Sequence, residues 1–198
     1  MAKREPSVPG ATTPAEEISL DFTGLFKLED LKVPPPAPPV PKSVPSDLVI
    51  GAGKVAAGGY HVNLARARPK RGLDRGNTTI LIVEDDAGIR TMINLLLGRI
   101  GYKTRTAGNG GEFIAAMQQK PLPDLLLLDL NLPDISGFKI LSKVRGHPRL
   151  RDLPVIIFTA HTGVNELAQG IALGADGFLS KPATVSVLME AVEAVLGG

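Results

Sequence analysis

The sequence predicts an α/β fold, with a doubly wound sheet of five parallel strands behind a long N-terminal extension. From residue 79 onward, short solid apolar runs alternate with helical stripes, the pattern of a chain that winds strands and helices along a parallel sheet. Eleven of the 17 prolines fall in residues 1–77. We therefore divide the 198 residues into a Pro- and Gly-rich extension, residues 1–77, and a globular domain, residues 78–198.

Five segments predict the strands. Solid runs suit strands that are buried on both faces, and they are Ile80–Val83, Leu125–Leu128 and Val155–Phe158. Two weaker candidates are Tyr102–Ala107 and Gly177–Ser180.

Helical stripes lie between these runs. The apolar positions that recur at helical spacing are Ile89, Met92, Ile93, Leu96 and Ile100 in one stripe and Val187, Leu188, Ala191, Val192 and Val195 in another. We interpret Met92 and Met117 as core side chains.

The extension, residues 1–77, is expected to be largely disordered. Val33–Pro45 holds seven prolines and predicts a semi-rigid polyproline spacer. The island Ile18–Leu28 fits either a helix or a strand, and it either docks onto a partner or its own domain or stays unbound.

A basic run precedes the domain and is interpreted as a solvated linker. It consists of Arg66, Arg68, Lys70, Arg71 and Arg75. The alternative is a patch for nucleic acid or an acidic partner, but no aromatic side chains interleave with the charges to stack bases, so nucleic-acid binding is not expected.

The glycines after residue 50 resemble a dinucleotide-binding turn without its context. Gly51, Gly53 and Ala56 have the spacing, but Gly58, Gly59 and the basic run follow where a helix and a second strand are needed. We do not expect a nucleotide site there.

Composition excludes several classes of protein. The chain has no cysteine, which excludes disulfide scaffolds, cysteine-bound metal and thiol catalysis. No apolar run approaches the roughly 18 residues of a membrane span, and the N-terminus leads into no signal-peptide core. We expect a cytoplasmic protein without membrane insertion.

Polar side chains interrupt the predicted strands at one edge of the sheet. They are Glu84, Asp85 and Asp86 after the first strand, Asp129 after the third, Thr159 at the end of the fourth and Lys181 after the fifth. Ligands of such sheets bind beyond the carboxyl ends of the strands, so we expect these groups to converge on one crevice.

The chemistry of this crevice follows from its charge. Glu84, Asp85 and Asp129 bring negative charges together, which is unfavourable unless cations offset them. Oxygen ligands favour Mg²⁺, and Mg²⁺ in such a place indicates phosphoryl chemistry with Asp129 as the nucleophile. Asp86 is either a further metal ligand or, as we prefer, the N-cap of the first helix.

Four strings resemble one family. Ile82–Asp86, Leu128–Pro133 with Gly137, Phe158–Ala160 and Gly174–Pro182 resemble the receiver domain of two-component response regulators, including the chemotaxis receivers. The resemblance covers residues 78–198 and implies the flavodoxin-like strand order 2-1-3-4-5.

The resemblance also implies roles for the residues of the crevice. Asp129 accepts a phosphoryl group from a sensor histidine kinase or a phosphotransfer protein. Glu84, Asp85, Asp129 and the backbone carbonyl of Asn131 hold Mg²⁺. Thr159 donates a hydrogen bond to the phosphoryl group and Lys181 forms an ion pair with it. The chain is then a phosphoprotein with slow self-dephosphorylation rather than an enzyme.

Three further positions have two interpretations each. Phe178 is either the family's switch aromatic or a permanent core residue. His161 either lies beside the phosphoryl group or is exposed in a loop. Pro182 follows either the cis peptide bond found in the family or the commoner trans bond.

The sequence ends at Gly198, a few residues after the last predicted helix, and we expect a stand-alone receiver. Its signal would pass through protein contact on the face of the fourth helix, fifth strand and fifth helix (α4-β5-α5), residues 164–196, with a phosphorylation-dependent dimer as one form. The alternatives are a magnesium-dependent aspartyl-phosphate phosphatase of the haloacid-dehalogenase type and a passive adaptor.

Overall fold

A computed structural model describes residues 53–62 and 74–197. Its strands are β1 (Tyr60–Val62), β2 (Thr79–Val83), β3 (Lys103–Ala107), β4 (Leu125–Leu128), β5 (Val155–Thr159) and β6 (Gly177–Ser180). Its helices are α1 (Ala87–Ile100), α2 (Gly110–Gln118), α3 (Gly137–Gly146), α4 (Val164–Ala172) and α5 (Val185–Leu196).

The strands form one sheet in the order β1-β6-β5-β4-β2-β3. The five predicted strands are β2 to β6, and they pair in parallel in the order β3-β2-β4-β5-β6. Since β2 is the first predicted strand and β6 the fifth, this order confirms the predicted 2-1-3-4-5 arrangement. Val83 at the end of β2 lies opposite both Ala107 and Leu128, the last residues of its two neighbours. The carboxyl ends of the three strands are therefore level with one another.

Alternate residues of each strand face two separate hydrophobic clusters. On one face, Leu81, Leu126 and Ile157 pack among side chains of α2, α3 and α4. On the other face, Ile82 and Leu127 pack among side chains of α1 and α5. Because helices cover both faces, the central strands are apolar throughout, which explains the solid runs in the sequence.

Side-chain caps fix where three helices begin. The Asp86 carboxylate accepts a hydrogen bond from the Ile89 amide at the start of α1, which confirms the predicted cap. Asn109 caps α2 and Thr184 caps α5 in the same way. The cap of α1 places Asp85 and Asp86 in the connection that follows β2.

The buried stripe of α1 differs from the prediction at one methionine. Met92 was expected in the core but is 55% exposed, whereas Met117 is fully buried as predicted. Ile93 and Leu97 form the buried centre of the stripe. Successive helix residues lie about 100° apart, so Met92 turns outward when Ile93 faces the sheet.

The sheet has a sixth strand that the sequence analysis did not predict. β1 pairs antiparallel with β6, with Tyr60 opposite Leu179 and Val62 opposite Gly177. It lies within residues that we assigned to the disordered extension. Three residues are too few for strand periodicity, and the adjacent glycines and basic residues suggested a loop, so the pattern contained no signal for it.

Several predictions concern residues outside the described ranges. These are the proline spacer, the apolar island, Gly51 and all of the basic run except Arg75. The Arg75 side chain, 48% exposed, donates to the Glu193 carboxylate of α5 at 2.5 Å.

None of the helices in residues 53–62 and 74–197 is long and apolar enough to cross a membrane.

Candidate functional site

The structure brings the predicted site residues together at the carboxyl end of the parallel sheet. Glu84 follows β2, Asp129 follows β4, Thr159 ends β5 and Lys181 follows β6. Oxygen atoms of Glu84, Asp85 and Asp129 lie within 4.8 Å of one another. Glu84 and Asp129 are buried and Asp85 is exposed, so the cluster opens toward solvent on the Asp85 side.

Lys181 forms ion pairs with two of the three acids. Its ammonium nitrogen lies 2.7 Å from Oε1 of Glu84 and 2.8 Å from Oδ2 of Asp129. Only 12% of the Lys181 side chain is exposed. The ammonium also lies 5.2 Å from the centre of the Phe158 ring, a distance at which the ring face attracts a cation. The lysine is therefore aimed into the sheet edge rather than at bulk solvent.

Backbone hydrogen bonds hold these side chains in place. The Asp129 amide donates to the Val83 carbonyl, and the Lys181 amide donates to the Thr159 carbonyl, both at 2.9 Å. One carboxylate oxygen of Asp129, Oδ1, accepts from the Leu130 amide at 2.7 Å. Both oxygens of the Asp129 carboxylate thus have a donor within the chain.

Thr159 is buried at the end of β5. Its hydroxyl oxygen accepts a hydrogen bond from the His161 amide at 3.1 Å. The threonine side chain therefore contacts the connection between β5 and α4, and its backbone carbonyl contacts the lysine.

The connection after β4 closes tightly around Asp129. Asn131 forms an isolated bridge with Ser136, and the Gly137 amide donates to the Leu130 carbonyl at 2.9 Å. A β-carbon at Gly137 would lie 2.1 Å from the carbonyl oxygen of Asp129. Any larger residue at Gly137 would displace the backbone that carries Asp129.

Sequence reasoning missed Arg90. Its guanidinium, on the first turns of α1, donates to the Glu84 carbonyl at 2.6 Å and to the Asp85 carbonyl at 3.0 Å. It braces the backbone of the acidic pair instead of neutralising the carboxylates. The sequence holds no periodic signal for a bond from a helix to the preceding turn.

The site has excess negative charge. Burial raises the pKa of the Glu84 carboxyl; Lys181 opposes that shift by its hydrogen bond and charge, and Asp129 adds to it. The cluster holds three carboxylates, and Lys181 pairs with two of them. Buried charges without partners are strongly unfavourable, so this arrangement favours the binding of a further cation.

The donor set suits a hard divalent ion. Carboxylate oxygens from three residues converge, two from buried positions and one from the exposed position of Asp85. Magnesium prefers oxygen ligands and keeps open positions for water or phosphate oxygens. The residues present therefore fit the predicted Mg²⁺.

The structure bears on the three positions for which the sequence allowed two interpretations, Phe178, His161 and Pro182. The peptide bond between Lys181 and Pro182 is cis. Phe178 is buried, and His161 is exposed in the connection between β5 and α4. The core position of Phe178 is one of the two predicted arrangements, and a switching role stays a prediction.

The chain is similar to known proteins of one family. The model of the response regulator receiver domain family matches residues 80–193. Chemotaxis protein CheY4 of Vibrio cholerae superimposes with a TM-score of 0.57 at 31% identity, covering 60% of this chain and 98% of that one. A putative response regulator from Chloroflexus aurantiacus does so with a TM-score of 0.57 at 35% identity, covering 61% and 98%.

Among curated relatives, the transcriptional regulatory protein GltR of Pseudomonas aeruginosa is 35% identical over 118 residues, 60% of this chain and 48% of the relative. The chain spans about half the length of the curated relatives it matches. Together with the acids, threonine and lysine at the sheet edge, the match over more than half of the residues shows that this chain belongs to the response regulator receiver domain family.

Proposed function

We propose that this receiver accepts a phosphoryl group on the carboxylate of Asp129. One observation carries the proposal: Asp129 lies buried at the carboxyl end of β4, with one oxygen on a backbone amide and the other on the Lys181 ammonium. A carboxylate held in this way is oriented, and the adjacent cation offsets the charge of an incoming phosphoryl group.

The transfer needs a donor that already carries the phosphoryl group. A carboxylate oxygen of Asp129 forms a bond to phosphorus, the bond from phosphorus to the donor breaks, and its electron pair leaves with the donor. Family membership supports a phosphohistidine of a sensor histidine kinase or a phosphotransfer protein as this donor. The product is an acyl phosphate, which water hydrolyses slowly, so the chain is not proposed to be an enzyme.

The remaining site residues would stabilise the charge of the phosphoryl group. Lys181 would pair with one phosphoryl oxygen, and the Thr159 hydroxyl would donate to another. Glu84, Asp85, Asp129 and the Asn131 carbonyl would hold Mg²⁺. When bound, the ion would supply positive charge to the phosphoryl oxygens, which phosphoryl transfer requires.

The output is proposed to be protein contact. The predicted output face, residues 164–196, consists of α4, β6 and α5, because β6 is the fifth of the predicted strands. This α4–β6–α5 face adjoins the site through Thr159 and Lys181, which support a response there to phosphorylation. A cytoplasmic location and a phosphorylation-dependent dimer are part of this proposal. Relatives named as transcriptional regulators share about half their length with this chain, so their names do not extend a DNA-binding role to it.

The test is phosphorylation by acetyl phosphate with Mg²⁺, followed by mass mapping. We expect one labile addition on the peptide that contains Asp129 and none in Asp129→Asn. Asp86→Asn is the matched control, because Asp86 is exposed and caps α1 outside the cluster, so it should be modified at the wild-type rate.

Two other results would overturn the proposal. Sustained hydrolysis of small phosphate esters would indicate a phosphatase, although Asn131 lacks the carboxylate that such an enzyme needs for proton transfer. Absence of any modification, with unchanged amide exchange in beryllofluoride and Mg²⁺, would indicate a passive adaptor.

A further inference from the structure

Residues 53–62, here called the cap segment, cover the outer edge of β6. Within them β1 pairs antiparallel with β6, and the Ser180 amide donates to the Gly59 carbonyl at 3.4 Å. Ser180 directly precedes Lys181. The cap segment therefore contacts the strand that delivers the lysine of the site.

The cap segment is anchored on both faces of the sheet. Val55 is fully buried and belongs to the hydrophobic cluster that includes Leu167 of α4 and Phe178 of β6. Tyr60 and Val62 pack against the opposite cluster, which contains the buried face of α5. The cap segment thus contacts β6 and α5, and Val55 lies in the cluster to which α4 also contributes.

Two glycines turn the cap segment from its helical turn, residues 53–56, into β1. Gly58 has a φ of +80°, which disfavours other residues, and a β-carbon at Gly59 would lie 2.8 Å from the Lys54 carbonyl oxygen. These are the glycines that follow Gly51, Gly53 and Ala56 where a nucleotide-binding turn would need a helix. Their structural role is to reverse the chain so that Val55 and β1 can contact the sheet together.

Without β1, β6 would be the edge strand of an otherwise parallel sheet. Exposed edge strands pair readily with other chains. Two identical edges related by a two-fold axis pair antiparallel, the isologous arrangement of most symmetric dimers. β1 is the strand that pairs antiparallel in this sheet, and it occupies the position that β6 of a second copy would take.

We propose that the cap segment withholds the edge of β6 from a second copy of this chain, and that its release exposes a dimerisation surface on the α4–β6–α5 face. The proposal rests on the proposed function where it assigns signalling to that face. The contact that it describes does not require phosphorylation.

The experiment loosens the turn in the full-length chain. In a double variant, Gly58→Val places a branched side chain at a positive φ, and Gly59→Ala places a β-carbon against the Lys54 carbonyl oxygen. Amide exchange of residues 60–62 should then be about 10-fold faster or more. Sedimentation without phosphodonor should show self-association tightened by about the square of that factor, roughly 100-fold, since both copies of a dimer must release the cap segment. Gly53→Ala is the control, because its β-carbon would meet nothing within 4 Å.

A dimer formed through β6 has a further signature. Exchange of the Ser180 amide should accelerate in the dilute variant and slow again as the protein associates. Association without this renewed protection would place the contact elsewhere and overturn the proposal. So would faster exchange with unchanged association, or a wild-type chain that associates as tightly as the variant.

A second variant is needed in case the turn before β1 accommodates Gly58→Val and Gly59→Ala without releasing the cap segment. Val55→Asp buries a charge in the hydrophobic cluster to which Val55 belongs and should release the cap segment by another route. If neither variant speeds exchange of residues 60–62, the described contacts do not hold the cap and the proposal fails. Modification of Asp129 is measured separately, so failure of the cap and failure of the phosphoacceptor are distinct results.

Discussion

Two buried ion-pair networks lie at opposite ends of one sheet, and they differ in charge balance. At the amino end, the Arg145 guanidinium of α3 donates to the Asp176 carboxylate at 2.7 Å and to the carbonyls of Gly174 and Leu153 at 2.8 Å. Asp176 also accepts from the Val155 amide. At the carboxyl end, the ammonium of Lys181 pairs with the carboxylates of Glu84 and Asp129, and the exposed carboxylate of Asp85 lies in the same cluster.

The difference separates a structural role from a binding role. Arg145 and Asp176 match charge for charge, and a planar guanidinium can satisfy several acceptors at once. The Lys181 network carries two carboxylates more than its ammonium can balance, so it gains from an incoming cation. Burial and short distances are common to both networks; unbalanced charge distinguishes the one suited to chemistry.

The largest expected effect comes from the same substitution at each end. Asp176→Asn removes the carboxylate of a buried ion pair with Arg145, and loss of one partner of a buried pair costs about 3–5 kcal/mol in the free energy of unfolding. Asp129→Asn removes excess negative charge and leaves Glu84 paired with Lys181, so stability without Mg²⁺ should change by less than about 1 kcal/mol or rise. Urea unfolding of both variants checks this, and equal losses would contradict the comparison.

The next effect concerns phosphorylation rather than stability. Lys181→Met removes the cation beside Asp129, and loss of one such charge-stabilising donor slows reactions roughly 10²- to 10³-fold. The measurement is the rate of modification by acetyl phosphate at saturating Mg²⁺. Lys103→Met, at the start of β3 near the other end of the sheet, is the control and should react like wild type. A rate unchanged in Lys181→Met would show that the lysine does not act on the transfer.

The sequence predicted the carboxyl-end network more fully than the amino-end one. Glu84, Asp129, Thr159 and Lys181 interrupt apolar runs directly at strand ends, and parallel pairing then brings them to one edge. Arg145 lies on a helix 31 residues from Asp176, and each alone has the pattern of an ordinary surface charge. No local spacing indicated their contact.

The missed elements share this cause. β1 is three residues long, and its pairing with β6 joins positions more than 110 residues apart. Neither a strand-like alternation of apolar residues nor the neighbouring sequence therefore indicated this strand. Arg90 contacts backbone carbonyls, which every residue type provides. Met92 turned outward because helical spacing identifies a stripe but not its centre. In each case the local sequence pattern allowed more than one arrangement, and contacts between residues distant in sequence determined which one formed.

Magnesium should stabilise one network without affecting the other. A ligand that binds the folded chain at 100 times its dissociation constant adds about 2.7 kcal/mol to the free energy of unfolding. We expect such an increment in the wild type and a much smaller one in Asp85→Asn, which loses a ligand in the exposed part of the cluster. Thermal unfolding with and without Mg²⁺ measures it, with Ca²⁺ for comparison. A full increment in Asp85→Asn would exclude Asp85 from the ion's ligands.

The smallest expected effect is on the stability of Asp86 variants, and it tests whether Asp86 belongs to the acidic site. Asp86 directly follows the cluster, but its carboxylate accepts from the Ile89 amide at 2.8 Å. Asp86→Ala should therefore lower the free energy of unfolding by about 1 kcal/mol through loss of the cap, and Asp86→Asn, which caps equally well without charge, should restore it. Both should be phosphorylated at the wild-type rate once folded. If Asp86→Asn instead slows phosphorylation, the charge of Asp86 belongs to the cation site, and the unbalanced network is larger by one carboxylate.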